Sequence, residues 1–473
     1  MSEIRLIPKL NPEQPTTSPS FTAAFFKTYK LIIITFCFSL VNWTEADIVG
    51  AYMRSTIHCN STIPYYPPHS GNWSGSNYCT SKHIVLQQAT KLTGQITIVN
   101  RILSIVSVLV IGSYIDSIGR KPLIVLSFVG YFVCCSLLYL HTWTTSTTSS
   151  TSLLFAATAI AAALSSFPVA SKAMAADMTS SRDEKERGLV FTWLALGRGC
   201  GTLVGFVGGY FVLRMDLTNY QTVWAIFSIL CLVVLCLSQY LLVETLETKK
   251  NTKDMEEIEE QSESTSGCSA ILKGFQLIRN DAFMMSFIMV CFIATTGFFG
   301  SILISSSFLI GKSKGWFYSQ AVASLAGVFM PIASLFGYVV SGTLCIRKIG
   351  TKGTCMIGLL IIGSGEMVIG FFGPSSPIGF WIGWELVGFG LGCFAPTQNA
   401  IISARFQDGD QGKVLSLMMV FISFGVATGA SVWNLVLYDS SAVGLKAGIP
   451  FFWSGAVIFV AAVLYAVFWK MLL

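Results

Sequence analysis

Runs of about twenty apolar residues recur twelve times along the chain, separated by short polar stretches. They lie near 28–50, 93–115, 122–141, 153–174, 189–213, 222–243, 283–309, 317–345, 353–373, 378–403, 413–437 and 449–469. At about 1.5 Å per residue, each run can carry an α-helix across a hydrocarbon layer of roughly 30 Å. The pattern predicts an all-α membrane protein with twelve transmembrane helices. Residues 1–27 hold Pro8, Pro12, Pro15 and Pro19 and few apolar residues, so the expectation is a cytosolic tail without a cleavable signal peptide.

Two long polar interruptions organise these helices. The first, the loop 51–92, contains Cys59, Cys79 and the glycan acceptor sequences starting at Asn60 and Asn72. The cysteines are either a disulfide suited to an oxidising outer compartment or two unpaired thiols. The second, 244–281, carries six acidic residues between Asp254 and Glu263 among Ser, Thr and Lys. That composition cannot bury a core and predicts a disordered cytosolic linker. It divides the chain into an N-terminal six-helix bundle, 28–243, and a C-terminal one, 282–473.

Composition removes the alternatives. With 53% hydrophobic and 11% charged residues and a mean hydropathy of +0.65, the chain cannot clothe a soluble globule of this length. Placing both termini in the cytosol puts most of the thirty Lys and Arg residues on the inside, as the positive-inside rule requires. The net charge of +6 is therefore a topology signal and not a mark of nucleic-acid binding. No phosphate-cradling G-x-x-x-x-G-K-S/T loop is present, so ATP-driven pumping has no support.

The loop between the second and third runs reads Gly112-Ser-Tyr-Ile-Asp116-Ser-Ile-Gly119-Arg120-Lys121. It resembles the G-x-x-x-D-x-x-G-R-K signature of the major facilitator superfamily. The resemblance implies a major facilitator fold, two pseudo-symmetric bundles with a binding site between them near mid-membrane, and no enzymatic activity. Arg347-Lys-Ile-Gly350-Thr-Lys352 is a worn second copy in which Arg347 replaces the acid. Asp116 and Arg120, four residues apart, can form a charge-assisted pair at the Gly119 turn. The resemblance makes this pair a gating latch rather than a static surface ion pair.

Asp116-Ser-Ile-Gly-Arg-Lys-Pro-Leu-Ile-Val-Leu-Ser127 further resembles the proton-coupled folate transporter family, solute carrier family 46. Three more stretches agree in order: Asp177 to Arg182 with Arg187, Glu244-Thr245-Leu246, and Gly448-Ile-Pro-Phe-Phe452. The resemblance adds Asp177 and Arg182 to the gating set. It also implies an acid in helix five, a histidine in helix seven and an arginine in helix ten. Those positions hold Thr192, Phe298 and Asn399 here, and all four histidines lie in or beside outer loops.

Substrate chemistry must then come from other polar residues within the runs, which are costly in lipid and usually functional. Glu45 and Asp47 are two apart on a helix, so only one faces a cavity, and Glu45 is favoured. Arg101 and Arg198 are deeper and suit a planar anion such as a carboxylate; Arg101 could equally pair with Glu45 or Asp47. Trp381, Glu385, Gly388, Gly392 and Asn399 share one face of the tenth run, either lining a cavity or forming a glycine packing surface. The leading reading is a secondary transporter for an amphipathic organic anion. In it Arg101 and Arg198 bind charge, Trp381 and Phe298 give apolar surface, and Glu45, Asp47 or Glu385 carries a coupling proton. Alternatives are a drug–proton antiporter and a transport-inactive receptor or scaffold. No metal or organic cofactor is called for. The expected partners are a small-molecule substrate and membrane lipid, in the plasma or endolysosomal membrane.

Overall fold

The computed structural model describes residues 21–56, 58–60, 63–64, 82–144, 151–179, 184–214, 220–245, 275–276, 278–311, 320–405 and 411–470. The first half is α1 (Phe21–Thr56), α2 (Lys82–Ile118), α3 (Arg120–Thr144), α4 (Thr151–Leu164), α5 (Phe167–Asp177), α6 (Glu184–Arg214) and α7 (Tyr220–Leu241). The second is α8 (Ala282–Gly311), α9 (Gln320–Val340), α10 (Ile346–Phe372), α11 (Pro377–Arg405), α12 (Gln411–Gly429) and α13 (Leu445–Lys470). π-Helical turns at Ser341–Cys345 and Ala430–Leu437 follow α9 and α12. A small hairpin, His58–Asn60 against Ile63–Pro64, sits in the predicted outer loop. Of that loop's predicted features, Asn72 and Cys79 lie outside the described residues, as do the side chains of Cys59 and Asn60.

Among the described residues, ten segments are long and apolar enough to cross a membrane. One of them, Leu325–Phe372, runs 48 residues, about 72 Å of helix, which is enough for two crossings. With the shorter apolar run Thr28–Asn42 in α1, these supply the twelve predicted spans. The fourth span departs from expectation, because it breaks at Ser165–Ser166 into α4 and α5. Pro168 removes a backbone donor at the start of α5. Ser166 N donates to Ser127 Oγ at 2.9 Å and Ser166 Oγ to Leu123 O at 2.6 Å, so α3 stitches the break.

Two cores form, one in each half. The first gathers Phe38, Phe128, Tyr131 and Phe167, with Phe38 stacked on Phe167 at 3.9 Å between centroids. The second gathers Phe287, Phe308, Phe380, Trp384 and Phe451. The repeat seen in the sequence is also visible in the backbone. Gly119 (φ 101°) turns α2 into α3, and Gly350 (φ 76°) kinks the first turn of α10. Both lie in the left-handed region that glycine alone enters freely.

α6 lies between the halves, packed on α1 along one face and on α9 and α11 along others. Gly197 and Gly201 let it approach α1 closely: a Cβ on Gly197 would stand 2.9 Å from Ile32 O, and one on Gly201 would strike Phe36 O. Gly201→Val is expected to force the two helices apart and to cost about 1–3 kcal/mol or more through overpacking. The thermal unfolding midpoint of the purified protein would fall accordingly. An unchanged midpoint would mean that the contact can relax without loss.

Candidate functional site

One polar constellation closes the end of the first half marked by Gly119. Arg120 Nε lies 2.9 Å from Asp177 Oδ2, with the two side chains only 5% and 9% exposed. Glu244, just past α7, places both carboxylate oxygens on the start of α3. Its Oε1 accepts from Arg120 N at 3.1 Å and its Oε2 from Lys121 N at 3.0 Å. These amides belong to the first helical turn and have no partner within the helix, and a carboxylate there also meets the positive end of the dipole. Thr245 Oγ1 donates to Asp177 Oδ2 at 3.2 Å, and Lys121 Nζ to Gln239 O at 2.7 Å. A Cβ on Gly119 would stand 2.5 Å from Glu244 Oε2 and push that carboxylate aside, and the positive φ favours glycine here. Asp177 is thus a partner of Arg120 that spacing along the chain does not offer. The expected pairing with Asp116 falls on a side chain outside the described set, as does all of Arg182.

The second half repeats the device more exposed to solvent. Asp281 Oδ1 accepts from Phe283 N and Met284 N at the start of α8, and Asp281 Oδ2 meets Arg405 Nε at 2.7 Å.

The two halves meet at both ends. At the Gly119 end, the fully buried Arg187 donates from Nη1 to Ser403 O across the interface. At the opposite end, Thr90 Oγ1 donates to Ser307 Oγ at 2.8 Å, and Tyr438 OH donates to Ser307 O at 3.0 Å.

Between the closures three cations converge from three helices: Arg101 of α2, Lys172 of α5 and Arg198 of α6. The charge of Arg198 acts on Arg101, on Lys172 and on Tyr338 of α9, so the group faces the seam between the halves. Tyr131 stands in the field of Arg101. Lys172 Nζ reaches Met419 Sδ of α12 at 3.3 Å, a weak acceptor that leaves most of its donor capacity unused. Arg198 is exposed and the other two are half-buried in the middle of apolar helices. Among the described residues no carboxylate pairs with any of the three. The side chains of Glu45 and Asp47 lie outside the described set.

Lys172 is the member of this cluster that the sequence reading did not take as a site candidate. Its signal was present, since a lysine inside a span is as costly as an arginine. The tenth-run face resolves into a helix contact. Gly388 packs on Met330 and Ala333, Gly392 on Ser334 and Gly337, and Trp381 meets Phe329 edge-on at 5.3 Å, all on α9. Glu385, between them on that face, is half-buried. Asn399 Nδ2 donates to Ala395 O of its own helix at 2.8 Å, and its buried Oδ1 has no partner. Phe298 is 6% exposed within the core of the second half.

A family model described as Major Facilitator Superfamily matches residues 31–356. Among solved structures, the chain is similar to the human organic anion transporter MFSD10 (TETRAN), with 14% identity, a TM-score of 0.62, and 94% of this chain and 100% of that one covered. It is similar to a partially occluded inward open form of the xylose transporter XylE from E. coli, at 15% identity and a TM-score of 0.61 over 93% and 97% of the two chains. It is also similar to a bacterial homologue of the iron transporter ferroportin in an outward-facing state, at 13% identity and a TM-score of 0.65 over 94% and 99%. A search of the curated proteins finds no match. At these identities the likeness is one of fold.

Proposed function

The chain belongs to the major facilitator superfamily, and we propose that it moves an amphipathic organic anion across its membrane by alternating access between the halves 28–243 and 282–473. The family and the similar structures are transporters, not enzymes. The observation that carries the choice of an anion is the convergence of Arg101, Lys172 and Arg198 with no carboxylate partner among the described residues. Three cations held apart in a low-dielectric interior repel one another. A bound anion relieves that repulsion, and the guanidinium forks orient it. The spans that carry the cations are otherwise apolar, which suits a substrate with a hydrophobic body.

In this reading both termini are cytosolic, in a plasma or endolysosomal membrane, and the Arg120–Asp177–Glu244 constellation is the cytosolic latch. Protons are the coupling ion. The stretches at Asp116–Ser127 and Asp177–Arg187 resemble the proton-coupled folate transporter family, solute carrier family 46, and support a member of that kind with the coupling chemistry moved to other residues.

The test is uptake into proteoliposomes holding the full chain, with carboxyfluorescein as the anionic probe and a rhodamine cation of similar size beside it. Saturable carboxyfluorescein flux, with no flux of the cation, is expected. Preference for the cation would overturn the anion assignment. Binding of the probe without flux would favour a transport-inactive receptor.

A further inference from the structure

A second buried polar site lies wholly within the C-terminal half, outside the cationic centre. Glu366 of α10 is 0% exposed, packed between α8 and α13. Its Oε1 is 2.5 Å from Ser301 Oγ of α8, and its Oε2 is buried with no partner. Ser454 of α13 lies beside the same carboxyl. No cation among the described residues contacts it. The other titratable groups on the packed helices stand elsewhere. Cys291, Cys355, Lys446 and Tyr465 are roughly two turns or more away along their helices. Glu385 is on the α9-facing side of α11.

A serine hydroxyl has one hydrogen and two lone pairs. Ser301 Oγ is 2.9 Å from Phe298 O, and Ser454 Oγ is 2.9 Å from Gly297 O. Those carbonyls can only accept, so each competes with Glu366 for its serine's single hydrogen. When Ser301 gives its hydrogen to Phe298 O, what it offers Glu366 is a lone pair, and the group that complements it is a carboxylic acid donating from Oε1. The alternative gives the Ser301 hydrogen to a carboxylate. It leaves a full charge in the packed interior with Oε2 bare, a costly arrangement.

Resting on the transport reading above, we propose that Glu366 is the site that takes up and releases the coupling proton, and that α8 links its state to the closure opposite the Gly119 end. α8 carries Ser301 at the acid and, about 9 Å further along, Ser307, which Thr90 and Tyr438 hold at that closure. Gly300, next to Ser301, packs on the Trp433 indole in the π-helical turn after α12. The adjacent Asn434 is buried with both amide atoms unpartnered, and it faces Gly94 of α2 in the other half. π-Helical turns often mark moving, functional segments. Loss of the proton creates a charge that needs water or a donor, and α8 can supply either only by shifting, which disturbs the Ser307 contacts. The step is a simple transfer: the acid O–H bond breaks, the carboxylate keeps the electron pair, and water accepts the proton.

The first test reads the proton directly. Infrared spectra of the full chain in lipid should show a carboxylic-acid carbonyl band that is lost in Glu366→Gln and kept in Glu385→Gln. The band should also disappear from wild type as pH is raised. A Glu366→Gln spectrum identical to wild type overturns the proposal. The second test uses carboxyfluorescein. A one-unit pH gradient is a tenfold difference in proton activity and should change wild-type uptake by up to about tenfold, against less than about twofold for Glu366→Gln. Exchange of internal for external probe at equal pH should continue in the variant. A gradient response that survives in Glu366→Gln removes the carrier role. Absence of any wild-type flux would count against the transport reading, while the infrared band would still decide the state of Glu366.

Discussion

Asp177→Ala is expected to destabilise the protein by about 3–5 kcal/mol, because it strips a nearly buried Arg120 of the carboxylate 2.9 Å from its Nε. A surface ion pair would be worth under about 1 kcal/mol; exposures of 5% and 9% put this pair in the other regime. The loss spreads beyond one contact. Thr245 loses its acceptor, and the neighbouring Glu244, which caps α3, loses part of its support. Thermal unfolding of Asp177→Ala, Arg120→Met and the double variant gives the coupling energy. A double variant nearer wild type than Asp177→Ala is expected, since removing both partners leaves no uncompensated charge. Additive losses, with coupling below about 0.5 kcal/mol, would show that the pair does not hold the latch.

That latch shows where reading the sequence succeeds and where it stops. Its members Gly119, Arg120 and Lys121 were legible because the motif fixes them locally, and Asp177 through a resemblance in a separate stretch. That Asp177 meets Arg120 was not legible, because the two are 57 positions apart. Glu244 acts on residues more than 120 positions earlier, so no local pattern could place it. The spans themselves were legible because lipid enforces their length and apolarity. The break in the fourth is tertiary in origin: Ser165, Ser166 and Pro168 allow it, but Ser127 of another helix completes it. Trp381, Gly388 and Gly392 do share a face of α11, whereas the helix they meet could not be known from spacing. Gly388 and Gly392 bring backbone onto α9, and the packing reading of that face is the one its contacts support.

The cationic centre carries the largest expected effect on function. A charged hydrogen bond to a bound anion contributes about 1.5–3 kcal/mol, so Arg198→Gln or Lys172→Gln should weaken carboxyfluorescein transport by roughly tenfold to a hundredfold, chiefly through KM. The double variant should lose nearly all saturable flux. Lys172 is the sharper probe. It stands on the segment α5 that begins at the helix break, and it reaches Met419 of the other half, so an anion held there touches both halves at once. Arg198→Lys should recover less than half of the lost affinity if the substrate uses the planar fork, because an ammonium offers a point charge instead. Arg347→Ala, far along the chain at the worn second loop, serves as the charge-matched control and should leave KM unchanged. Wild-type KM in both Lys172→Gln and Arg198→Gln would place the anion elsewhere, and the cations would then be reassigned to holding the halves apart.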